Sequence, residues 1–102
     1  LDAFVESCAG LPGKVATFRA DLSREDEVQA VVAACLDTYG DITGLANVAG
    51  GMVGIESASM DRPLAEIDLA YFRRTFEVNV DSAFLMCKHG KKLTERFQKA
   101  LG

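Results

Sequence analysis

The feature that most constrains the fold is a stripe of apolar side chains at helical spacing, with a short strand-like segment on each side. The segments are 14–20 (KVATFRA), which follows a Leu-Pro-Gly turn, and 41–49 (DITGLANVA), which runs into a glycine-rich loop. Apolar residues recurring at i, i+3 and i+4 predict a helix with one buried face. A strand, a helix and a strand in this order are typical of a parallel α/β sheet. The stripe consists of Val28, Val31, Val32, Cys35, Leu36 and Tyr39.

The ends of this central helix are marked in the sequence. Ser23 is a natural N-cap, and Asp26 three residues later completes an approximate capping box. The acidic side chains at 25–27 lie in the first turn, where the helix dipole favours negative charge. Gly40 ends the helix. An earlier, short helix is predicted to end at Gly10.

A long helix, helix 69–89, is predicted in the second half of the chain, with Asp68 as its N-cap. Its apolar side chains lie on more than one side, so one sheet face cannot cover them all. We therefore predict that it packs against a second copy of itself in a homodimer or homotetramer. The apolar residues at helical spacing are Leu69, Phe72, Phe76, Val80, Ala83, Phe84 and Cys87.

The chain is long enough for one small domain but supplies only two predicted strands. Its 102 residues fit a single domain. Parallel sheets need helices on both faces and usually several strands. The pattern therefore predicts an incomplete α/β domain, in which residues 14–20 and 43–48 form adjacent or near-adjacent parallel strands.

Composition and charge exclude several kinds of partner. The chain is 49% hydrophobic and 25% charged, its formal net charge is −4, and no run of Lys or Arg exceeds two residues. Nucleic-acid and anionic-membrane surfaces need concentrated positive charge, so we predict neither partner. Cys8, Cys35 and Cys87 form no C-x-x-C pair, which indicates packed, reduced thiols in a cytoplasmic protein and no metal site. The alternative is a catalytic thiol, but nothing ties the one histidine of the sequence, His89, to a particular cysteine.

Polar side chains stand at the carboxyl ends of both predicted strands, where doubly wound sheets bind their ligands. Asp21 follows the first strand and Asn47 ends the second. Each has a simpler explanation, because an Asp can help to start a helix and an Asn is a common turn residue. If both bind a ligand, they lie at the same edge of the sheet.

Asn79 is a third candidate, since it lies at the edge of the apolar face of helix 69–89. Asn is a poor helix former, because its side chain competes for backbone hydrogen bonds. A buried amide without partners costs about 1–3 kcal/mol. The alternative to a functional role is a satisfied polar residue at a helix–helix contact.

The glycine-rich loop at 49–54 (AGGMVG) does not carry the dinucleotide-binding fingerprint G-x-G-x-x-G. No helix is predicted to open directly after it, so no helix N-terminus is available there for a pyrophosphate. We predict instead that these glycines let the backbone approach a flat ligand closely.

Four motifs, taken together in order and spacing, resemble the short-chain dehydrogenase/reductase family. They are RADLS at 19–23, a helix ending in Tyr39-Gly40-Asp41, LANVAG at 45–50 and FEVNV at 76–80. The resemblance covers residues 1–89 and implies the central part of a Rossmann-like, doubly wound parallel sheet that binds NAD or NADP. Residues 1–102 would then be one partial NAD(P)-binding domain.

The resemblance also implies roles for individual residues. Asp21 and Leu22 match the pair that holds the adenine of the cofactor. Asn47 would lie by the adenosine ribose, and the backbone of Ala49 and Gly50 would line the nicotinamide side. Asn79 matches the helix asparagine of the catalytic tetrad, whose main chain holds a water in the proton relay.

The chain departs from the family pattern in several places. Val48 replaces a second asparagine, and the glycine-rich phosphate motif, the catalytic Ser and the Tyr-x-x-x-Lys are absent. Tyr39 and Tyr71 are each followed four places on by a threonine, so neither can stand in. Residues 91–102 resemble the helix after the catalytic Lys, joined across a gap after Gly90; alternatively, they continue helix 69–89.

The resemblance implies a parent enzyme that interconverts a hydroxyl and a carbonyl group of a small alcohol or ketone by hydride transfer. Substrate would lie near Gly51 and Met52. Because the acid/base Tyr and its Lys are missing, we predict that the 102-residue chain alone is inactive. The alternative is a truncated or non-catalytic Rossmann-like module that acts in oligomerisation or weak nucleotide binding.

Overall fold

A computed structural model of the chain describes residues 1–51 and 63–90, together with Glu95 and Lys99. Met52 and the proposed tail helix 91–102, apart from those two residues, lie outside this range. The described elements are α1 (Asp2–Ser7), α2 (Glu25–Tyr39), a 3-10 turn (Leu64–Glu66), α3 (Leu69–Phe76), a π-helical segment (Glu77–Asp81) and α4 (Ser82–His89). Helix 69–89 comprises the last three of these.

The two predicted strands do not form a ladder. Residues 14–20 and 43–48 belong to no helix, and no residue of 1–51 or 63–90 is assigned to a strand. The prediction that they form adjacent or near-adjacent parallel strands is therefore not met within residues 1–51 and 63–90. A physical reason is that a parallel sheet needs several strands with helices on both faces, and these two segments alone do not supply them.

The central helix begins one residue later than its sequence suggested. The N-cap of α2 is Arg24, with φ −107° and ψ 122°, and no side chain caps the helix. Ser23 instead donates its amide and hydroxyl to Asp21 Oδ1, at 3.0 and 2.6 Å. The predicted C-terminus is confirmed, because Gly40 has φ 77° and donates its N–H to Leu36 O at 2.7 Å.

The first helix is shorter than predicted. It ends at Ser7, and the amides of Cys8 and Ala9 donate to carbonyls three residues back, at 3.1 and 3.2 Å. This tightening into i to i−3 turns is a common way for a last helical turn to satisfy its carbonyls. Gly10 lies beyond the helix and does not cap it.

Helix 69–89 is confirmed in extent but is not uniformly α-helical. Asp68 occupies the N-cap position, although its side chain makes no capping hydrogen bond. The π-helical segment Glu77–Asp81 interrupts the α-helical pattern and has Asn79 at its centre. Short π-helical insertions within α-helices occur frequently at functional sites.

A small core joins α2 to helix 69–89. Val28 is fully buried, Leu85 is 8% exposed and Ser82 is 4% exposed. The Ser82 hydroxyl donates to Val78 O at 2.6 Å, which satisfies it inside this contact. An apolar cavity of about 130 Å³ continues the contact towards the segment before Asn47; its lining includes Val31, Cys35, Ile42, Leu45 and Met86.

A charged cluster joins the same two helices at the surface. Glu25 Oε2 lies 3.0 Å from Lys88 Nζ and 3.5 Å from His89 Nε2. Hydrogen bonding to Lys88, and then to His89, lowers the pKa of the Glu25 carboxyl below its ordinary value of 4.5. Glu25 lies in the first turn of α2 and Lys88 in the last turn of α4, where each charge suits its helix dipole.

Within residues 1–51 and 63–90, no helix has the length and the apolar character needed to cross a membrane.

Candidate functional site

Helix 69–89 carries contacts to both extended segments. Arg74 binds the Asp21 carboxylate, Asn79 binds the backbone of Gly51, and Cys87 Sγ lies 3.6 Å from Asn47 Nδ2. At a rise of about 1.5 Å per residue, positions 79 and 87 are about 12 Å apart along the axis, and positions 74 and 79 about 7 Å. The carboxyl ends of both segments therefore lie against the same helix, at different points.

Asp21 is held by three donors. Its Oδ1 accepts from the Ser23 amide at 3.0 Å and from the Ser23 hydroxyl at 2.6 Å, and its Oδ2 accepts from Arg74 Nη2 at 3.2 Å. The Ser23 hydroxyl, followed by the Ser23 amide and Arg74, lowers the pKa of the Asp21 carboxyl below its ordinary value of 3.8. The side chain remains 39% exposed. The Asp21 carboxylate is therefore an ionised hydrogen-bond acceptor that a ligand can reach.

The turn that Asp21 makes also fits its simpler explanation. A hydrogen bond from the amide two residues on to an aspartate side chain is an Asx turn, which shapes the entry into α2. The Asp21 amide donates in turn to Glu27 Oε1 at 3.1 Å, inside the first turn of that helix. Asp21 therefore shapes the turn before α2, and part of its carboxylate remains accessible to a ligand.

Arg74 is a residue that sequence reasoning missed. Its Nη1 donates to Ser23 Oγ at 2.7 Å and to Glu77 Oε2 at 3.0 Å, while Nη2 binds Asp21. Hydrogen bonding to Glu77, and then to Asp21, raises the pKa of the guanidinium. The sequence offers two adjacent arginines here, Arg73 and Arg74, and nothing in the pattern distinguishes the one that faces Asp21.

Asn79 pairs with the loop after the second extended segment. Its Oδ1 accepts from the Gly51 amide at 2.9 Å, and its Nδ2 donates to Gly51 O at 2.8 Å and to Thr75 O at 2.9 Å. The residue is exposed. Its side-chain amide is hydrogen-bonded to Gly51 of the loop and to Thr75 of its own helix, and these bonds are not a helix–helix contact.

The glycines at 50 and 51 have a structural reason that the sequence did not reveal. A Cβ on Gly50 would collide with Oδ1 of the Asn79 side chain, and would lie 3.4 Å from its Cγ. Gly51 has φ 136°, a conformation that side chains with a Cβ rarely adopt. Close approach of Asn79 therefore requires glycine at position 50, whether or not a flat ligand binds nearby.

The remaining predicted site residues are accessible. Asn47, Ala49 and Gly50 are exposed, and Leu22 is half-buried beside Asp21. Val48 is 86% exposed, so this part of the segment lies at the surface. The adenosine and nicotinamide parts of NAD(P) carry amino, hydroxyl and carboxamide groups, which need hydrogen-bond partners. The Asp21 carboxylate, the Asn47 side-chain amide and the Gly50 backbone are of the chemical kinds that fit them. A glycine loop for the pyrophosphate is not among the 102 residues.

The sequence profile of a family described as enoyl-(acyl carrier protein) reductase matches residues 2–101. The 2,5-dichloro-2,5-cyclohexadiene-1,4-diol dehydrogenases of two Sphingobium indicum strains are each 39% identical to the chain over 77 residues. That alignment covers 76% of the chain and 28% of each relative.

Solved structures agree with this assignment. An NADH-dependent reductase responsible for alginate metabolism has a TM-score of 0.76 at 29% identity, over 99% of this chain and 39% of that one. A short-chain dehydrogenase/reductase from Brucella melitensis has a TM-score of 0.70 at 36% identity, over 87% and 34%. The same alginate reductase complexed with NAD has a TM-score of 0.67 at 30% identity, over 83% and 33%.

The chain spans between a quarter and two fifths of the length of these relatives. Its structural neighbours support an α/β, Rossmann-like fold, although its own described residues form helices and unpaired extended segments. The profile match across nearly the whole chain confirms the resemblance inferred from RADLS, LANVAG and FEVNV. The chain belongs to the short-chain dehydrogenase/reductase family.

Proposed function

We propose that the protein containing this chain is an NAD(P)-dependent oxidoreductase that interconverts a hydroxyl and a carbonyl group of a small molecule. The observation that carries the proposal is the pairing of Asn79 with Gly51. It joins the asparagine that matches the family's catalytic helix to the loop that would line the nicotinamide. One structural neighbour is described as complexed with NAD, which supports the choice of cofactor.

Each site residue has a proposed task. Asp21 and Leu22 hold the adenine, Asn47 contacts the adenosine ribose, and the backbone of Ala49 and Gly50 lines the nicotinamide. The bound cofactor would supply the hydride chemistry. The chain itself would position the cofactor, because the Asn79–Gly51 hydrogen bonds hold the loop that would lie beside the nicotinamide.

Asn79 has a second proposed task, in the proton relay. In the family pattern its main chain holds a water, and its place in the π-helical segment supports this, because such segments alter the backbone hydrogen-bonding pattern. The acid/base Tyr and its Lys are absent from these 102 residues. The complete enzyme would therefore take them from another part of the protein, and the chain alone is proposed to be inactive.

The proposed substrate class is a small alcohol or ketone. The Sphingobium indicum relatives are named for a cyclic diol, and the alginate reductase for metabolism of a carbohydrate. Both names describe hydroxyl-bearing compounds, which supports this class for the present chain. The three cysteines are free thiols, in keeping with the proposed cytoplasmic location.

Helix 69–89 is proposed to form the contact of a homodimer or homotetramer. Phe72, Phe76 and Phe84 are between 50% and 64% exposed, and the first two rings lie 4.9 Å apart between centroids. Large exposed apolar patches on a protein mark sites of interaction with other molecules. A second copy of this helix would cover them.

A second candidate is a non-catalytic, Rossmann-like module that acts in oligomerisation or weak nucleotide binding. The exposed aromatic side chains of helix 69–89 favour it. The two candidates differ in one respect that can be measured, since the module would assemble without turning over substrate.

The test of the proposed function is calorimetric titration of NAD+, NADH, NADP+ and NADPH into the full-length protein. We expect saturable binding of at least one oxidised and reduced pair. The 102-residue chain is the control, and it should bind weakly, because it lacks a glycine loop for the pyrophosphate. A full-length protein that bound none of the four nucleotides would contradict the proposal.

A further inference from the structure

We infer that Arg74 is a positioning residue that orients the Asp21 carboxylate and thereby sets the affinity for the adenosine half of the dinucleotide. The inference rests on the proposed function and adds to it a residue that no sequence motif of the chain singled out. Arg74 contacts Asp21 across 53 positions of sequence, so it joins helix 69–89 to the entry of α2.

Arg74 binds Asp21 both directly and through Ser23, and these contacts together form the Arg74 brace. One guanidinium supplies Nη2 to Asp21 Oδ2 at 3.2 Å and Nη1 to Ser23 Oγ at 2.7 Å. The Ser23 hydroxyl itself donates to Asp21 Oδ1 at 2.6 Å. Arginine presents its donors in a rigid planar fork, so these bonds fix the plane of the carboxylate and not merely its charge.

Asp21 keeps acceptor capacity for a ligand. A carboxylate has about four acceptor positions, and the Ser23 amide, the Ser23 hydroxyl and Arg74 occupy three. The side chain is 39% exposed, so the remaining position is accessible. An exocyclic amino group, such as that of adenine, is a donor of the kind that this position accepts.

The contact is better suited to orientation than to folding. Both partners are more than one third exposed, and ion pairs at that exposure contribute little to stability. Glu77, three residues further along the same helix, places its Oε2 3.0 Å from Nη1 of the Arg74 guanidinium. Arg74 is therefore itself held in place, which a positioning residue requires.

The neighbouring arginine provides a matched control. Arg73 has the same charge and lies on the same helix, but its guanidinium is exposed and makes no hydrogen bond or ion pair with residues 1–51 or 63–90. A change at Arg73 alters the net charge of the helix as a change at Arg74 does. Only the change at Arg74 removes the brace.

The experiment measures binding of ADP-ribose and NADH to the full-length protein by calorimetry, for wild type, Arg74→Gln, Arg74→Lys and Arg73→Gln. We expect Arg74→Gln to raise the ADP-ribose Kd by about fivefold to tenfold, and Arg74→Lys to raise it less, since it keeps the charge but loses the fork. Arg73→Gln should bind as wild type does. The KM for the cofactor should rise with the Kd, while kcat changes by less than about twofold.

A double-mutant cycle separates orientation from general electrostatics. If Arg74 acts through Asp21, adding Arg74→Gln to Asp21→Asn should weaken binding no further. Fully additive losses would overturn the inference, as would wild-type affinity in Arg74→Gln. If Arg74→Gln fails to fold, Arg74→Lys decides, and wild-type affinity in that variant would overturn it.

The outcomes also distinguish this inference from the proposed function. A wild-type protein that binds no adenine nucleotide overturns both. A wild-type protein that binds NADH and ADP-ribose, beside an Arg74→Gln variant of equal affinity, overturns only the role of Arg74.

Discussion

The side-chain amide of Asn79 pairs with both backbone polar groups of Gly51, accepting from its N–H at 2.9 Å and donating to its carbonyl at 2.8 Å. The oxygen and nitrogen of the side-chain amide are complementary to the N–H and C=O of this one residue, so two hydrogen bonds join the helix to the loop. The adjacent Gly50 has no room for a Cβ against Asn79 Oδ1. The loop and the π-helical segment are therefore fixed to each other.

Gly50→Ala should disrupt this contact. The added methyl would collide with the Asn79 side chain, which would have to turn away and give up its hydrogen bonds to Gly51, at a cost of about 1 kcal/mol in the free energy of unfolding. Thermal unfolding of the full-length protein measures it. Gly44→Ala is the matched control, because a Cβ there meets nothing within 4 Å. Equal midpoints for the two variants would contradict the account of the loop.

Acid should weaken the contact between α2 and α4 through Glu25. Its pKa is lowered in the folded state, so its contribution to stability is complete above its ordinary value of 4.5 and is lost as the pH falls through the lower folded value. Glu25→Gln should therefore flatten the fall in stability on acidification below about pH 4.5. Urea unfolding at a series of pH values measures this slope.

Lys88→Met tests the cause of that shift. Lys88 is the largest contributor to the lowered pKa of Glu25, so its removal should flatten the same part of the pH profile. Combining it with Glu25→Gln should add little, because the two side chains form one pair. A Lys88→Met profile as steep as that of wild type would show that another group holds Glu25.

Helix 69–89 should mediate self-association of the full-length protein. Phe84 is 64% exposed, and a charge there would be buried without a partner in any interface that this face forms. Phe84→Glu should therefore reduce the light-scattering mass from two or four subunits towards one. Phe4→Glu is the control, since Phe4 is 57% exposed on α1. A wild-type mass of one subunit would refute the interface.

Asp21→Ala should weaken cofactor binding without unfolding the protein. It removes an ionised acceptor from the proposed adenine side, and the loss of one hydrogen bond to a charged group raises Kd by about tenfold. Calorimetry with NADH, beside a circular dichroism spectrum, measures both effects. An unchanged Kd would count against the assigned role.

The sequence predicted helices better than it predicted their ends or their partners. Periodicity located α2 and helix 69–89, and Gly40 ended α2 as expected, because these signals are local. Ser23 was misassigned as a cap, since its hydroxyl bonds to Asp21, which the capping pattern does not consider. The two predicted strands are not formed in the described residues, because strand formation depends on neighbours distant in sequence.

The candidate site was predictable only where a motif marked it. Asp21 and Asn79 were singled out from the sequence, and the structure adds their partners, Arg74 and Gly51. Those partners are 53 and 28 positions away in sequence, and neither contact follows from any local pattern. The π-helical segment likewise has no signal in the apolar spacing, which continues across it.

The central claim is tested most directly by steady-state turnover, measured as the change in NADH and NADPH absorbance with a panel of ketones and alcohols. The full-length protein and the 102-residue chain are assayed side by side at equal concentration. We predict turnover by the full-length protein and none by the chain alone, because general acid catalysis needs a proton donor that these residues lack. Turnover by the purified 102-residue chain, or a full-length protein that binds cofactor but reduces and oxidises nothing, would contradict the account.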